Sequence, residues 1–292
     1  MAIANEQPIV FQSAQQSLYG LLHEPQQSEL KTGVLILVGG PQYRVGSHRQ
    51  FVELARGLAL QGIPTFRFDF TGMGDSTGDF PGFEKLDNDI RQAIDAFTKA
   101  HPDLQKVILW GLCDGASAAC FYASKDERVA GLCLANPWVR TEQGEAEAFL
   151  KHYYFSRLMS RDFWHKLLTG KLKVLSSLTD LFGKVKRSRQ KEEAANDQSD
   201  PSAAASAPQF SLPVRLFGSL NAFPGQVICL ISGNDLTAAE FMDAVNKDRK
   251  RQKLMRSKRV TMVHLADADH TFSQRQSMKD VIKQTASWIK AL

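Results

Sequence analysis

Apolar runs of strand length recur along the chain: VLILV (34–38), TFRFDF (65–70), KVILW (106–110), AGLCLA (130–135), QVICLIS (226–232) and VTMVHLA (260–266). Most are apolar at consecutive positions, as expected of strands covered on both faces of a parallel sheet. Helical periodicity fills the gaps, over residues of about 48–61, 83–100, 115–124, 238–256 and 275–291. Strand and helix alternate, so the pattern predicts right-handed βαβ units and a mostly parallel, doubly wound α/β sheet. The opening segment PIVFQSAQQSLYGLLHEP alternates apolar and polar around a Ser-Ala-Gln-Gln turn, which predicts an antiparallel hairpin feeding that sheet.

The rhythm breaks between Pro137 and about Phe223, where no strand-like run occurs. The first part carries Phe149, Tyr153, Tyr154, Leu158, Phe163, Trp164, Leu167 and Leu168 at helix-compatible spacing, and reads as two helices. The stretch that follows is rich in Ser, Ala, Pro and charge. It has few side chains able to pack, so it reads as a flexible linker. The expected organisation is therefore a core from 1–136 and 224–292, an inserted helical lid at 137–183, and a linker at 184–223 returning to the core.

At 292 residues, 43% hydrophobic and 23% charged, the chain can bury a large core. Its net charge of +5 is concentrated in KLKVLSSLTDLFGKVKRSRQK (171–191) and KDRKRQKLMRSKR (247–259). Neither stretch interleaves aromatics or zinc ligands, so nucleic acid is not the expected partner, and solvated helix faces are the favoured reading. Four cysteines without a CxxC pair fit a reducing compartment. The N-terminus has no secretory pattern and no run is long and apolar enough to span a bilayer, which reads as a cytoplasmic chain. Peripheral membrane contact through the basic segments stays open.

Chemistry concentrates at GLCDGAS (111–117), directly after the strand KVILW and before a helical pattern. Strand, tight turn and helix in that order form a nucleophile elbow: Gly111 and Gly115 leave room for the turn, and the central residue, Cys113, is lifted clear of the sheet. The helix N-terminus favours thiolate, and the Asp114 amide can face a developing oxyanion. By itself Cys113 could be a small buried hydrophobe, the commonest fate of an intracellular cysteine. Asp235, just past QVICLIS, could cap the next helix, and His270, after VTMVHLA, could be an ordinary loop residue. The conjunction is what points to chemistry, because nucleophile, acid and histidine follow separate strands in the order a triad requires. The second oxyanion donor is sought after the first core strand, in VGGPQYRVGSHRQF. There Gly40 is preferred to Gln42, and Arg44 and His48 are candidate substrate contacts that could equally cap a helix or face solvent. FDFTGMGDSTG (68–78) does not match GxGxxG, and no P-loop, HExxH or metal-ligand cluster is present, so no cofactor and no metal are expected.

With these motifs in view, the chain resembles the α/β-hydrolases of the serine aminopeptidase and acylglycerol lipase type. FDFTGMGDS is similar to their DxRGxGxS element, with Thr71 where arginine is usual, and VGGP is similar to the HGxP oxyanion loop, with valine for histidine. GLCDGAS resembles the elbow with cysteine for serine, as in dienelactone hydrolases. VGGPQYRVGSHRQF, DFTGMGDS and GLCDGAS together most resemble the hydrolase 1 family associated with the exosortase A system. That resemblance implies an α/β-hydrolase fold and a bacterial cytoplasmic enzyme encoded beside protein-sorting and exopolysaccharide functions. It carries across Cys113, Asp235 and His270 as triad, with Gly40 and Asp114 as amide donors. Three functions remain in view: hydrolysis of an acyl ester or thioester, acyl transfer to a sugar or polymer, and a non-catalytic scaffold. The substrate expected is a small-molecule, saccharide-linked or lipid-linked acyl compound.

Overall fold

A computed structural model describes residues 5–28, 30–40, 42–139 and 211–292. The predicted hairpin is present as β1 (Asn5–Ser13) and β2 (Gln16–Glu24), paired antiparallel across the turn at Ala14 and Gln15. The predicted strands follow: β3 (Thr32–Leu37), β4 (Thr65–Phe68), β5 (Lys106–Leu112), β6 (Val129–Ala135), β7 (Gln226–Asn234) and β8 (Val260–Asp269). They form one sheet in the order β1-β2-β4-β3-β5-β6-β7-β8, in which β2 meets β4 antiparallel and every later pairing is parallel.

The continuous apolar runs reflect burial on both faces. Along β3, Leu35 and Leu37 enter one core cluster while Val34 and Ile36 enter the other; along β5, Val107 and Leu109 alternate in the same way with Ile108, Trp110 and Leu112. The first face is covered by α2 (Asp87–Ala100), α3 (Asp114–Ala123), α4 (Leu212–Ala222) and α5 (Leu236–Asn246), which supply Ile94, Phe97, Ala119, Leu216 and Phe241. The second is covered by α1 (Gln50–Leu60) and α7 (Arg275–Lys290), which supply Phe51, Leu58, Val281 and Ile289. Each large side chain of this kind contributes about 1.5–3 kcal/mol by leaving water. The edge strand β8 is less buried: Val260 and Met262 are partly buried against the first cluster, Val263 and Leu265 against the second, and only Ala268 is fully buried.

Three expectations change. The helix read over 238–256 is two helices, α5 and α6 (Arg249–Met255). The first ends at Asn246 with Lys247 as its C-cap, and Asp248 caps the second by accepting the Lys250 and Arg251 amides at 2.7 and 3.1 Å. The helix expected from residue 83 begins as a 3₁₀ turn (Phe83–Lys85) and becomes α-helical at Asp87. The end of the expected linker is ordered as α4, which packs against α3 with Leu216 and Leu220 fully buried, because this stretch, unlike its upstream neighbours, has apolar residues at helical spacing. The lid proper and the rest of the linker fall on residues 140–210, outside the described residues, as does the basic stretch 171–191. In the second basic stretch Lys247, Arg249, Lys250, Lys253, Arg256 and Lys258 are exposed. Arg251 instead lies over the Phe217 ring, and Arg259 donates to the Leu220 and Phe223 carbonyls.

A polar chain runs under the hairpin. Arg67, 4% exposed on β4, donates from Nε to His23 Nε2 at 2.9 Å and from Nη1 to the Arg44 carbonyl at 3.0 Å. His23 is fully buried, and its Nδ1 faces Glu6 at 3.5 Å. Because Nε2 accepts, the neutral ring carries its proton on Nδ1. Burial first, and then the Arg67 charge, push the His23 pKa down to about 4; burial likewise lowers Arg67, to about 10.

Candidate active site

Parallel pairing from β3 to β8 brings the carboxyl ends of these strands to one edge of the sheet, where ligands of open α/β sheets bind. Cys113 follows β5 there, with φ 59° and ψ −125°. For a side chain other than glycine this is strained, at about 1–3 kcal/mol, and such residues cluster at functional sites. Surrounding hydrogen bonds hold it: the Cys113 amide donates to the Ala135 carbonyl, and its own carbonyl accepts from Ala116 and Trp138. The glycines around it have no space to spare. A Cβ on Gly111 would lie 2.5 Å from the Ala116 nitrogen, one on Gly115 2.5 Å from the Leu37 oxygen, and one on Gly39 2.0 Å from the Leu112 oxygen. Cys113 is half-buried, whereas Cys120, Cys133 and Cys229 are buried in the core, where desolvation raises their thiols.

Asp235 immediately follows β7, and His270 follows β8. His270 Nδ1 stands 2.8 Å from Asp235 Oδ2, with the imidazole 33% exposed and the carboxylate 6%. Asp235 also caps α5, accepting the Thr237 and Ala238 amides, both at 3.1 Å. The capping and triad readings are therefore compatible. Two amides and a helix N-terminus fix the carboxylate, which in turn fixes the imidazole.

Asn136 did not stand out in the sequence. It is fully buried, with φ 44°, and exchanges hydrogen bonds with Ser232 while donating from Nδ2 to the His270 carbonyl at 3.1 Å. It thus ties the ends of β6 and β7 to the histidine loop. Its only sequence signal is a polar residue terminating an apolar run. Phe272 anchors the same loop, 1% exposed with φ 58°.

Residues of the first loop make several contacts of their own. The Gly40 amide, with φ 68° at its residue, donates to Asp114 Oδ1 at 2.5 Å. Arg44 pairs with Asp69 and, at 2.6 Å, with Asp75, so its guanidinium ties this loop to the glycine-rich loop after β4. His48 Nε2 lies 3.0 Å from the Thr271 carbonyl, beside His270. Both candidate substrate contacts are thus engaged with neighbouring loops. Thr71, where the resembled hydrolases usually carry arginine, donates from its amide and its hydroxyl to Asp89, at 2.8 and 3.0 Å.

Comparison with known proteins bears on this arrangement. The Hydrolase_4 family, described as serine aminopeptidase, S33, matches residues 31–220. The chain belongs to this family. Solved structures similar to this S33-family chain include an esterase from Pyrococcus furiosus (TM-score 0.64, 14% identity, 99% of this chain and 93% of the other covered). A dienelactone hydrolase from Anabaena variabilis matches at TM-score 0.59 and 15% identity, covering 99% of both chains. A proline iminopeptidase from Mycobacterium smegmatis matches at 0.57 and 12%, covering 98% of both. At such identities the likeness establishes the α/β-hydrolase fold. No curated protein matches the sequence. Among the described residues, no helix is long and apolar enough to cross a membrane.

Proposed function

We propose that this S33-family chain is an acyl hydrolase that cleaves an ester or thioester through Cys113, His270 and Asp235. The observation that carries the reading is a cysteine at φ 59°, ψ −125° on a strand-to-helix elbow, on the same sheet edge as a histidine held at 2.8 Å by a buried carboxylate. His270 takes the thiol proton, or holds the thiolate as an ion pair, through Nε2, while Asp235 keeps the other nitrogen protonated. Sulfur attacks the carbonyl carbon, and the leaving alcohol or thiol departs with the proton from His270. Water, activated by the same imidazole, then hydrolyses the thioester to acid and free thiol. Backbone amides at the start of α3 and in the loop after β3 receive the oxyanion.

The resemblance of VGGPQYRVGSHRQF, DFTGMGDS and GLCDGAS supports assignment to the exosortase A-associated branch. A cytoplasmic site and a saccharide-linked or lipid-linked acyl substrate are part of that reading.

Alkylation offers a direct test, because Cys113 is the one cysteine of four that is not buried. Iodoacetamide is expected to abolish hydrolysis of a short-chain nitrophenyl ester, with modification mapped to Cys113. Hydrolysis that survives full alkylation of Cys113, or its absence from the untreated protein on both ester and thioester probes, would count against the proposal.

A further inference from the structure

The residue after the nucleophile carries a carboxylate, and the direction it takes is informative. An acidic side chain in the first turn of a helix gains from the helix dipole while remaining in solvent. Asp114 instead turns toward the loop after β3, where its Oδ1 accepts the Gly40 amide at 2.5 Å. It lies so close to that loop that a Cβ on Gly39 would stand 2.7 Å from the same oxygen. The amides of Gly115 and of Asp114 itself also act on this carboxylate, as does the charge of His270. Burial outweighs these favourable contacts and raises the Asp114 pKa above the ordinary carboxylate range.

The Gly40 and Asp114 amides are the two donors that the elbow geometry assigns to an oxyanion. In the structure the Gly40 amide already serves a carboxylate oxygen, but it belongs to the protein. A carboxylate oxygen resembles the tetrahedral oxyanion in charge and in its appetite for amide donors. We propose that the Asp114 carboxylate is a resident occupant of the oxyanion cradle, an internal competitor that must leave these amides before a substrate carbonyl can use them. The inference rests on Cys113 being the nucleophile.

During acylation the sulfur–carbon bond forms as the carbonyl π pair moves onto oxygen, and that oxygen needs the Gly40 and Asp114 amides. With the carboxylate in place, a second anion would share the cradle and two like charges would face each other, which is unfavourable in a partly buried site. Substrate entry therefore includes rotation of the Asp114 side chain. Poor acyl substrates, whose binding cannot displace the carboxylate, are excluded. The arrangement holds the hydrolase quiet toward adventitious esters and gives selectivity to substrates that bind strongly elsewhere in the site.

The test compares wild type with Asp114→Ala, Asp114→Asn and Cys113→Ala. Two measurements are made: kcat/KM for a short-chain nitrophenyl ester, and the affinity for butyraldehyde. The aldehyde adds to the thiol, with the thiol proton passing to its oxygen, to give a thiohemiacetal whose oxygen occupies the same cradle. Asp114→Ala is expected to raise both quantities at least about tenfold, the worth of one charge-assisted hydrogen bond. Asp114→Asn keeps an acceptor for Gly40 without the charge and is expected to fall between wild type and Asp114→Ala. Asp114 variants that gain neither turnover nor aldehyde affinity, while Cys113→Ala abolishes turnover, would overturn the occupant role and leave the nucleophile standing. Turnover unchanged by Cys113→Ala would overturn both. If Asp114→Ala unfolds, as circular dichroism would reveal, the comparison rests on Asp114→Asn, which must then exceed wild type in both quantities.

Discussion

Cys113→Ala is expected to lower kcat/KM for a short-chain nitrophenyl ester by at least about a thousandfold, with little change in the thermal midpoint. The loss is large because no other group at the elbow can replace the sulfur. Ser117, one turn along α3, is fully buried, and its hydroxyl donates to the Trp138 carbonyl at 2.7 Å. The stability effect is small because the side chain is half-buried and alanine adopts the same positive φ at similar strain. His270→Ala is expected to cost about as much, and combining it with Cys113→Ala should add little, since the two act as one unit. Asp235 needs a gentler change. Asp235→Ala would also remove the cap of α5, at about 1 kcal/mol. Asp235→Asn preserves the cap and isolates loss of the carboxylate that orients His270. Hydrolysis rates and melting curves of these variants check this pattern. Near-wild-type turnover in Cys113→Ala would be incompatible with it.

Acid is expected to weaken the fold through His23 in a defined window. The ordinary histidine pKa is 6.5 and the folded value is pushed down to about 4. Between these values the unfolded chain holds a proton on His23 that the folded chain does not. Stability from this group is therefore fully present above about pH 6.5 and is lost as pH falls toward about 4. One proton gives a slope of at most about 1.4 kcal/mol per pH unit. The cause is the buried setting, in which a protonated ring would bring a second positive charge against Arg67 and leave water at the same time. The Glu6 carboxylate, which favours the charged ring, is outweighed. Urea unfolding between pH 7 and 4 should show the slope in wild type and a shallower one in His23→Gln. Parallel curves for the two proteins would show that His23 does not carry it.

Much of the fold was legible because its strands are buried on two faces. A run such as VLILV has no polar position to spare, and helices of matching amphipathicity separate the runs. The order of Cys113, Asp235 and His270 was legible for a related reason, as each directly follows a strand and parallel pairing aligns the strand ends. What the sequence concealed depends on contacts between distant loops. Asp248 sits inside a cationic run without Gly or Pro, so nothing marked it as a cap that divides one helix into two. The helical start at Ser211 to Pro213, with proline in the first turn, was averaged away by the Ser- and Ala-rich residues before it. The partners of Arg44 and His48, namely Asp69, Asp75 and the Thr271 carbonyl, could not be read from the sequence, which records their charge alone. The turn of the Asp114 carboxylate toward Gly40, across 74 positions of chain, has no local signature at all.

The most direct test of the central claim is to trap the acyl-enzyme. The protein would be mixed with nitrophenyl acetate, quenched in acid within the first turnover, and digested for peptide mass mapping. The account predicts one acetyl group per chain, carried as a thioester on Cys113 and absent from Cys113→Ala. An acetyl group on Ser117 or any other residue, in a protein that turns the ester over, would contradict it.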